Sequence, residues 1–574
     1  PKGLKWETND KEPIFASPNA KKGGIFRDFV EQFPATLRTI GPDSNGSFRG
    51  FMLDNLWGPV DVHPNTRKVI PLLANEWAYG PDGKSFYFRI HPDAKWSDGH
   101  PVTSDDFLFL KEMMLSPYLY APFYVDYYTK EVVDIVKYDD RTVGVFAASP
   151  KPDLEQYLAV APRPKHFYGG EIPPDYVQKY NWLPEPTIGP YRVKEFRKGR
   201  YLTLEKTPNW WGENLRYMKG RFNVQEVKIK VIRDRNVAYE YFKKGELDSL
   251  NMMATADFFR FGHGEVFDRG LVDITQVFTD SPQSMRGFYL NRRTPIFNDR
   301  NVRLAFAYSL DIQGGIEKVF RNDVRRMLRP YTGYGDYENM DIKPRSFDPA
   351  MAEKLMKSSG WKRGSDGIFE KGKQRFSIRL TSGYAIYLDF LTYIKEQAKL
   401  AGLELEIESL DGVTSFKKVL EKKHEATFMA WGTTLVPSFW QGWHSDNAGK
   451  EQTNNISETN DPELDRLIDK YRNSTKRDER VQLSREIIAK IHDLANFVPS
   501  FYYGFVRAAH WKWVKNPPVA ATALSDQLFF DPCNSSTGGL FWIDRDLKKD
   551  ILDMKRWGGK LKPVFKVDKT FLKE

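Results

Sequence analysis

The nine histidines and the single cysteine are the residues whose spacing would indicate metal or nucleophile chemistry. No two histidines are four residues apart, and His424-Glu425 lacks the second histidine of a helical zinc motif. One thiol, Cys533, excludes an intrachain disulfide or a site of several cysteines, and no base near it in the sequence would activate it. We therefore predict structural or surface histidines, no metal and no cofactor. A metal site assembled from distant residues is the alternative.

Three aspartates offer the other conventional chemistry. Asp98, Asp105 and Asp106 could form a carboxylate pair for acid–base catalysis. Each also has a structural explanation, because Asp98 precedes Gly99 in a turn and the other two fall in the first turn of a helix that Thr103 would cap. No P-loop, dinucleotide fingerprint or nucleophile elbow accompanies them. We predict that the chain is not an enzyme, with a periplasmic hydrolase as the alternative from a different class.

Aromatic side chains are concentrated shortly after residue 430, around Phe439 and His444. They are interpreted either as a local hydrophobic core or as rigid platforms for an extended ligand. Tyr384, which follows a predicted strand over 376–380, has the same two interpretations. The candidate ligand contacts in this region are Trp431, Gly432, Thr433, Thr434, Tyr384, Trp440 and Trp443.

The elements that position these residues can be predicted at three places. Alternating apolar residues after Asp82-Gly83 predict a strand over Ser85–Ile90 in a hairpin. Val227, Ile229 and Val231 predict another strand, followed by a helix from about 235 to 244 that Gly245 ends. The third place, 391–431, reads helix, strand, helix and buried strand, which is typical of an α/β unit with parallel strands. Because ligands gather beyond the carboxyl ends of such strands, the segment 431–434 becomes a site candidate.

Composition narrows the class of protein. The 574 residues suggest three or four domain lengths, and Gly and Pro are spread evenly without linkers or repeats, so interleaved domains are expected. The net charge is +10, but the last 28 residues hold nine Lys and Arg against four acidic residues, which leaves the rest nearly balanced. A dense basic face is absent, and we predict no nucleic-acid binding. No apolar run could span a membrane. The chain starts at Pro1, which fits a removed secretory signal.

The segment 88–107 reads FRIHPDAKWSDGHPVTSDDF and closely resembles the signature of family 5 (cluster C) extracellular solute-binding proteins. Further segments arrive in family order: TIGPY at 187–191, LEKTPNWWG at 204–212, GELD at 245–248, DRNVRLA at 299–305, NDPELD at 460–465 and VPSF at 498–501. The resemblance covers roughly residues 20 to 530. The subgroup it looks most like is the YejA-type peptide binders.

The resemblance implies an α/β fold of the periplasmic-binding-protein type II class, a two-lobed flytrap with an extra domain in the first lobe. The implied division is 1–50, 181–285 and 501–574 for the first lobe, 51–180 for the extra domain and 286–500 for the second lobe. Family members of the peptide class hold extended ligands by main-chain hydrogen bonds and deliver them to a membrane permease. The expectation is thus a monomeric periplasmic oligopeptide-binding component of an ABC importer, without catalysis. An oligosaccharide binder of the same fold is the alternative.

One departure from the family concerns the ligand's amino terminus. Classical members carry an Asp shortly after the strand, in a Gly-Trp-x-x-Asp-Tyr pattern, whereas 431–437 here reads WGTTLVP and holds no acid. Either Asp446 takes that role or the amino terminus is not clamped in this way. Asn45, in the first lobe, is expected to face the ligand from the opposite side.

Overall fold

The computed structural model describes residues 3–526 and 529–572. It divides into two compact units. Unit 1 comprises 3–253, Asp257–Asp280, 505–526 and 529–572, and unit 2 comprises Ala254–Ala256 and Ser281–Gly504. The chain thus leaves unit 1 and returns to it. The assignment of 51–180 to a domain of its own stays a prediction.

Unit 1 contains three four-stranded sheets. In the first, one outer pair is parallel and the rest antiparallel, in the order Ile25–Val30, Glu226–Val231, Tyr201–Lys206 and Tyr191–Arg197. The second has the order Ser249–Asn251, Phe505–Trp511, Val272–Phe278 and Val564–Asp568, with only the last pair parallel. The third is antiparallel throughout, in the order Ala74–Tyr79, Ser85–Ile90, Thr142–Ala147 and Val132–Lys137. Two short pairs are Val60–Val62 with Val69–Pro71 and Val514–Lys515 with Trp542–Ile543.

Most helices of unit 1 are short. The α-helices are Ser47–Leu53, Ser104–Leu115, Pro122–Lys130, Leu154–Leu158, Lys165–Tyr168, Tyr176–Lys179, Arg235–Lys244, Glu265–Asp268 and Arg545–Trp557. The 3₁₀ turns are Pro117–Leu119, Trp211–Asn214 and Arg216–Met218. A further helix, Thr255–Phe261, begins within the residues assigned to unit 2.

Unit 2 is built on one five-stranded sheet. Its order is Glu404–Ser409, Ser377–Ser382, Ala426–Met429, Gly287–Leu290 and Phe497–Pro499. The first three strands are parallel, and the fourth is antiparallel to both neighbours. Smaller sheets are formed by Lys362–Arg363, Phe369–Lys371 and Gln374–Arg375, and by Arg325–Arg326 with Phe501–Tyr502.

The longest helix of unit 2, Arg477–Leu494, packs against the helix Pro462–Asn473. The α-helices are Arg300–Tyr308, Ile312–Lys318, Pro349–Ser358, Leu388–Leu400, Gly412–Leu420, Trp440–Trp443, Pro462–Asn473 and Arg477–Leu494. The 3₁₀ turns are Pro295–Phe297, Gly335–Tyr337, Ala385–Tyr387 and Ser445–Asn447. Among the described residues, no helix has both the length and the apolar character that crossing a bilayer requires.

The local predictions for unit 1 are confirmed. Ser85–Ile90 forms the predicted strand and pairs with Ala74–Tyr79 across the turn. Tyr87 on this strand is buried, and the ring of Phe146 packs edge-on against it at 5.8 Å. The helix Arg235–Lys244 ends at Gly245, whose φ of 81° is the left-handed conformation that glycine adopts without strain.

The predicted α/β unit of residues 391–431 is also confirmed, with one difference. The strands Glu404–Ser409 and Ala426–Met429 run in the same direction, as predicted, but they do not pair with each other. Ser377–Ser382 lies between them and is parallel to both. The carboxyl end of Ala426–Met429 therefore lies beside the central strand of a parallel trio, which is where ligands bind in such sheets.

Candidate functional site

A cavity of about 350 Å³ lies within unit 2, just beyond the carboxyl end of the strand Ala426–Met429. Aromatic side chains, small residues and amides share its wall. The lining residues are Met285, Tyr289, Tyr331, Tyr334, Trp431, Gly432, Thr433, Thr434, Ser438, Gln441, Gly442, Trp443, Asn454 and Ile456. Its size is within the range of small-molecule sites.

Trp431, two residues after the strand Ala426–Met429, is held in place by backbone hydrogen bonds and by packing of its ring. Its carbonyl accepts from the Met285 N–H over 3.2 Å, and its N–H donates to the Met285 carbonyl over 3.4 Å. The ring of Phe416, from the helix Gly412–Leu420, lies 6.1 Å from the Trp431 ring. These contacts fix the direction in which the chain leaves the sheet, so Gly432, Thr433 and Thr434 follow along the cavity wall.

A hydrogen-bonded pair forms another wall. The Tyr331 hydroxyl accepts from the indole N–H of Trp443 over 3.0 Å and donates to the Ser438 carbonyl over 2.8 Å. Tyr331 has a φ of 59°, a left-handed conformation that costs an aromatic residue about 1–2 kcal/mol. The ring of Tyr334 packs 5.7 Å away. The hydrogen bonds and the ring contact offset that strain and hold the wall in one conformation.

The cavity carries no formal charge. Among the described residues that line it, none is acidic, basic or histidine. Burial raises the pKa of the Tyr289, Tyr331 and Tyr334 hydroxyls above the ordinary value of 10, so all three are neutral near pH 7. A charged group of a ligand that entered this cavity would lose its hydration and gain no counter-ion, which costs much free energy. An uncharged group would lose far less hydration free energy.

Two side-chain amides, those of Gln441 and Asn454, add hydrogen-bonding groups to the cavity wall. The Asn454 amide donates to the Gln441 side-chain oxygen over 2.8 Å. Each amide has two donors and an acceptor oxygen, so this bond leaves further capacity for a ligand. A cavity of aromatic faces with a few directed amides can bind neutral groups and still orient them.

The structure brings together some of the predicted contacts and leaves others elsewhere. Trp431, Gly432, Thr433, Thr434 and Trp443 line the cavity. The remaining candidates, Tyr384, Trp440, Asp446 and Asn45, do not line it.

Trp440 belongs to the hydrophobic core of unit 2, with the Arg472 guanidinium 4.7 Å from its ring centroid. Tyr384 lies under the strand end, where its hydroxyl accepts from the Ala430 N–H over 3.4 Å. The Asp446 side chain is half exposed, with a carboxylate oxygen 3.7 Å from His444. Among the described residues that line the cavity, none is a carboxylate that could replace the missing family Asp.

Asn45 belongs to unit 1, where it is exposed in the loop before the helix Ser47–Leu53. Its expected role in ligand binding stays a prediction.

Nine of the fourteen residues that line the cavity were not anticipated from the sequence. Met285 and Tyr289 flank or belong to the antiparallel strand Gly287–Leu290, and Tyr331 and Tyr334 come from a loop about 100 residues before Trp431. The segment 331–334 is too short for its two aromatic residues to indicate a helix or a strand. The positive φ at Tyr331, which only the structure shows, is the feature that marks it.

The structural interpretation of the aspartates is confirmed. Asp106 accepts from the Thr103 N–H over 2.9 Å and Thr103 caps the helix Ser104–Leu115, so the two residues form a capping box. Asp98 accepts from the His100 N–H over 3.3 Å within its turn. Cys533 is buried, and burial raises the pKa of its thiol, so it is an unreactive thiol as expected.

A strand-end cavity with neutral, largely aromatic walls, as unit 2 contains, is typical of a small-molecule binding site. The sequence-family model described as "Bacterial extracellular solute-binding proteins, family 5 Middle" matches residues 68–451. The chain belongs to this family. The predicted fold is confirmed, because the solved structures that this chain resembles are two-lobed periplasmic binding proteins of the family 5 type.

Several known proteins are similar over most of their length. "Probable peptide-binding protein YejA" of Agrobacterium fabrum is 24% identical, covering 78% of this chain and 79% of that protein. "Peptidoglycan-binding protein YepA" of the same organism is 24% identical, covering 88% and 89%. The structure of the oligopeptide-binding protein AppA from Bacillus subtilis, in complex with a nonapeptide, superimposes with a TM-score of 0.74 at 19% identity, covering 92% of this chain and 100% of AppA.

Proposed function

We propose that this protein is the periplasmic binding component of an ABC importer, which captures oligopeptides or peptide-like ligands and delivers them to an inner-membrane permease. The observation that carries the proposal is the uncharged aromatic cavity at the strand end of a family 5 member. The names of YejA and AppA agree with a peptide ligand.

The cavity chemistry suggests how a peptide would be held. Trp431, Trp443 and the tyrosines provide apolar faces for a neutral side chain, and Gln441 and Asn454 provide hydrogen bonds for an amide. The segment Gly432 to Thr434, which belongs to no helix or strand, offers main-chain groups that could pair with a ligand backbone in the manner of an added strand. Main-chain pairing gives affinity without reading the sequence, so ligands of varied sequence would bind.

The absence of a carboxylate from the described cavity wall bears on the ligand's amino terminus. A peptide ammonium group buried there would have no counter-ion, which is costly. We therefore infer that the amino terminus lies outside this cavity, and that the cavity binds a side chain or another neutral part of the ligand.

Binding without turnover is the expected behaviour. The described lining residues include no nucleophile–base pair and no pair of carboxylates, which hydrolysis of peptide or glycosidic bonds would need. Incubating the protein with short peptides and oligosaccharides and analysing the products tests this directly. Products formed at a rate that scales with protein concentration would overturn the non-enzymatic assignment.

An oligosaccharide or sugar–peptide ligand is the second candidate, because aromatic faces combined with amides also suit sugar rings. The name of YepA agrees with such a ligand. Mass spectrometry of the ligand that co-purifies with the protein, released by denaturation, distinguishes the two classes.

Thermal shift assays complete the test. A ligand that binds only the folded protein raises its melting temperature in a concentration-dependent way. Peptides of about two to ten residues should raise it, and hexose oligomers should not. Flat melting curves across the peptide set, with a shift caused by oligosaccharides, would replace the first candidate by the second. Loss of peptide uptake in cells that lack the protein would support the permease partnership.

A further inference from the structure

Two histidines and an aspartate meet on the surface of unit 1. The Nε2 atom of His166 lies 2.7 Å from one Asp98 carboxylate oxygen, and the Nδ1 atom of His100 lies 3.3 Å from the other. The two imidazole rings stack with centroids 4.0 Å apart. One ligand atom from each of the three residues lies within 4.8 Å of the other two.

This juxtaposition is built by the fold, because Asp98 and His166 are 68 positions apart. Asp98 and His100 belong to a turn in which Gly99 has a φ of 95° and the Trp96 N–H donates to the His100 carbonyl over 2.8 Å. His166 belongs to the helix Lys165–Tyr168.

A buried carboxylate joins these two segments. Asp106 accepts from the Trp96 indole N–H over 3.2 Å and from the Lys165 backbone N–H over 3.0 Å. Its side chain therefore fixes the residue before His166 and the residue that begins the turn of Asp98. The hydrogen bonds of Asp106 thus hold the two segments that carry the three surface side chains next to each other.

We propose that Asp98, His100 and His166 form a binding site for a divalent transition-metal ion of the zinc type. Two imidazoles and one carboxylate are a donor set that Zn²⁺ accepts, with ligand distances of about 2.0–2.2 Å. Ligands at those distances are roughly 3.3 Å from one another in a tetrahedral site. The present separations run from 2.7 Å to no more than 4.8 Å, so rotations of the exposed side chains that move the donor atoms by about 1–1.5 Å would reach that spacing.

The site would keep at least one open coordination position. The side chains of His100, Asp98 and His166 are 59%, 36% and 25% exposed, so an ion can enter from solvent. Three protein ligands leave the fourth position of a tetrahedral ion to water or to a donor group from another molecule. The bound ion would also tie the turn to the helix and stabilise unit 1 by linkage.

A simple ion pair between Asp98 and His166 would also explain their contact, so the two explanations are distinguished by whether the site binds metal ions selectively. Imidazole nitrogen favours Zn²⁺ and Ni²⁺ over the hard ions Mg²⁺ and Ca²⁺, which prefer oxygen. The proposal therefore requires binding that depends on both histidines and that excess Mg²⁺ does not prevent.

The experiment uses the tag-free full chain, stripped of metal with a chelator and titrated with ZnCl₂ by calorimetry at pH 7.5. We expect one high-affinity site whose zinc affinity falls at least about 10–100-fold in His100→Ala and in His166→Ala. Removing a residue that only hydrogen-bonds a metal ligand already lowers metal affinity by about that factor. His263→Ala removes an exposed histidine of the same unit and is the matched control, expected to bind like the original protein.

Co²⁺ titration provides a second readout, since nitrogen ligation changes its visible absorption and the change should vanish in both histidine variants. Asp98→Asn keeps a turn-forming side chain and loses only the charge, so it serves if an alanine variant folds poorly. Equal zinc affinity in all variants, or no saturable binding in the original chain, would overturn the proposal.

Discussion

Trp443 donates its indole N–H to the hydroxyl of Tyr331 over 3.0 Å, although the two residues are 112 positions apart. The same Tyr331 hydroxyl donates a hydrogen bond to the Ser438 carbonyl. One hydroxyl thus satisfies two buried groups and fixes two aromatic walls of the cavity. Because the lining is neutral, its shape depends on such bonds and not on ion pairs.

Tyr331→Phe should destabilise unit 2 by about 1–3 kcal/mol, because it leaves the Trp443 N–H and the Ser438 carbonyl without their partner. Urea unfolding, analysed for each transition, measures the change. Tyr120→Phe is the control, since Tyr120 is 63% exposed and should change stability little. Equal effects of the two substitutions would contradict the structural role of the Tyr331 hydroxyl.

Trp431→Ala should weaken ligand binding about 10–100-fold, since truncating a central aromatic contact typically costs 2 kcal/mol or more. Calorimetry with the co-purifying ligand provides the measurement. Trp557→Ala removes an indole that is 85% exposed in unit 1 and should leave the affinity unchanged. If Trp431→Ala binds as tightly as the original protein, the ligand does not contact this wall.

Gly432→Leu should fill part of the cavity without disturbing the fold. A Cβ atom added at Gly432 meets no atom within 4 Å, and the backbone is not in the left-handed region. We expect an unchanged melting temperature for the free protein and a smaller ligand-induced shift. Gly412→Leu, at another exposed glycine of unit 2 whose added Cβ meets its nearest atom at 3.9 Å, should keep the full shift.

Asp106→Ala should destabilise unit 1 by about 2–4 kcal/mol, because three donors lose a buried acceptor. Its neighbour Asp105 is half exposed and pairs only with Lys137, at 2.9 Å, so Asp105→Ala should cost less than about 1 kcal/mol. Chemical denaturation of the two variants side by side tests the difference. Similar losses would show that the helix N-terminus as a whole, and not the tie to Lys165, dominates.

Asp54→Asn should change the pH dependence of unit 1. Burial, followed by the charges of Asp531 and Asp526, raises the pKa of Asp54 to about 8 from an ordinary 3.8. The folded state then keeps a proton that the unfolded chain releases above about pH 4, so stability falls as pH rises from about 4 to 8.

The neutral amide of Asp54→Asn has no such proton. The variant should equal the original protein near pH 4 and exceed its stability by about 2 kcal/mol or more at pH 8. Free energies of unfolding at pH 4, 6 and 8 give the comparison, with Asp105→Asn, at a half-exposed aspartate, as the control. A constant difference across the three pH values would argue against a buried, protonated Asp54.

Short-range features were predictable because they are encoded within a few residues. The cap at Thr103, the stop at Gly245 and the parallel unit over 391–431 follow from side chains that act on their own backbone or from apolar periodicity. The segment after Ala426–Met429 could be singled out for the same reason, since the carboxyl end of a parallel strand is a general binding position.

The sequence by itself thus determined the family, the direction of the strands and the position of the candidate site. Only the tertiary structure decided which neighbours complete it. Asp105 and Asp106 are adjacent and identical in type, yet only Asp106 turns inward to join two segments. Trp440 and Trp443 lie one helical turn apart, yet only Trp443 faces the cavity and meets Tyr331. The physical reason is that burial and hydrogen bonding between distant segments depend on how whole elements pack, and no local pattern contains that information.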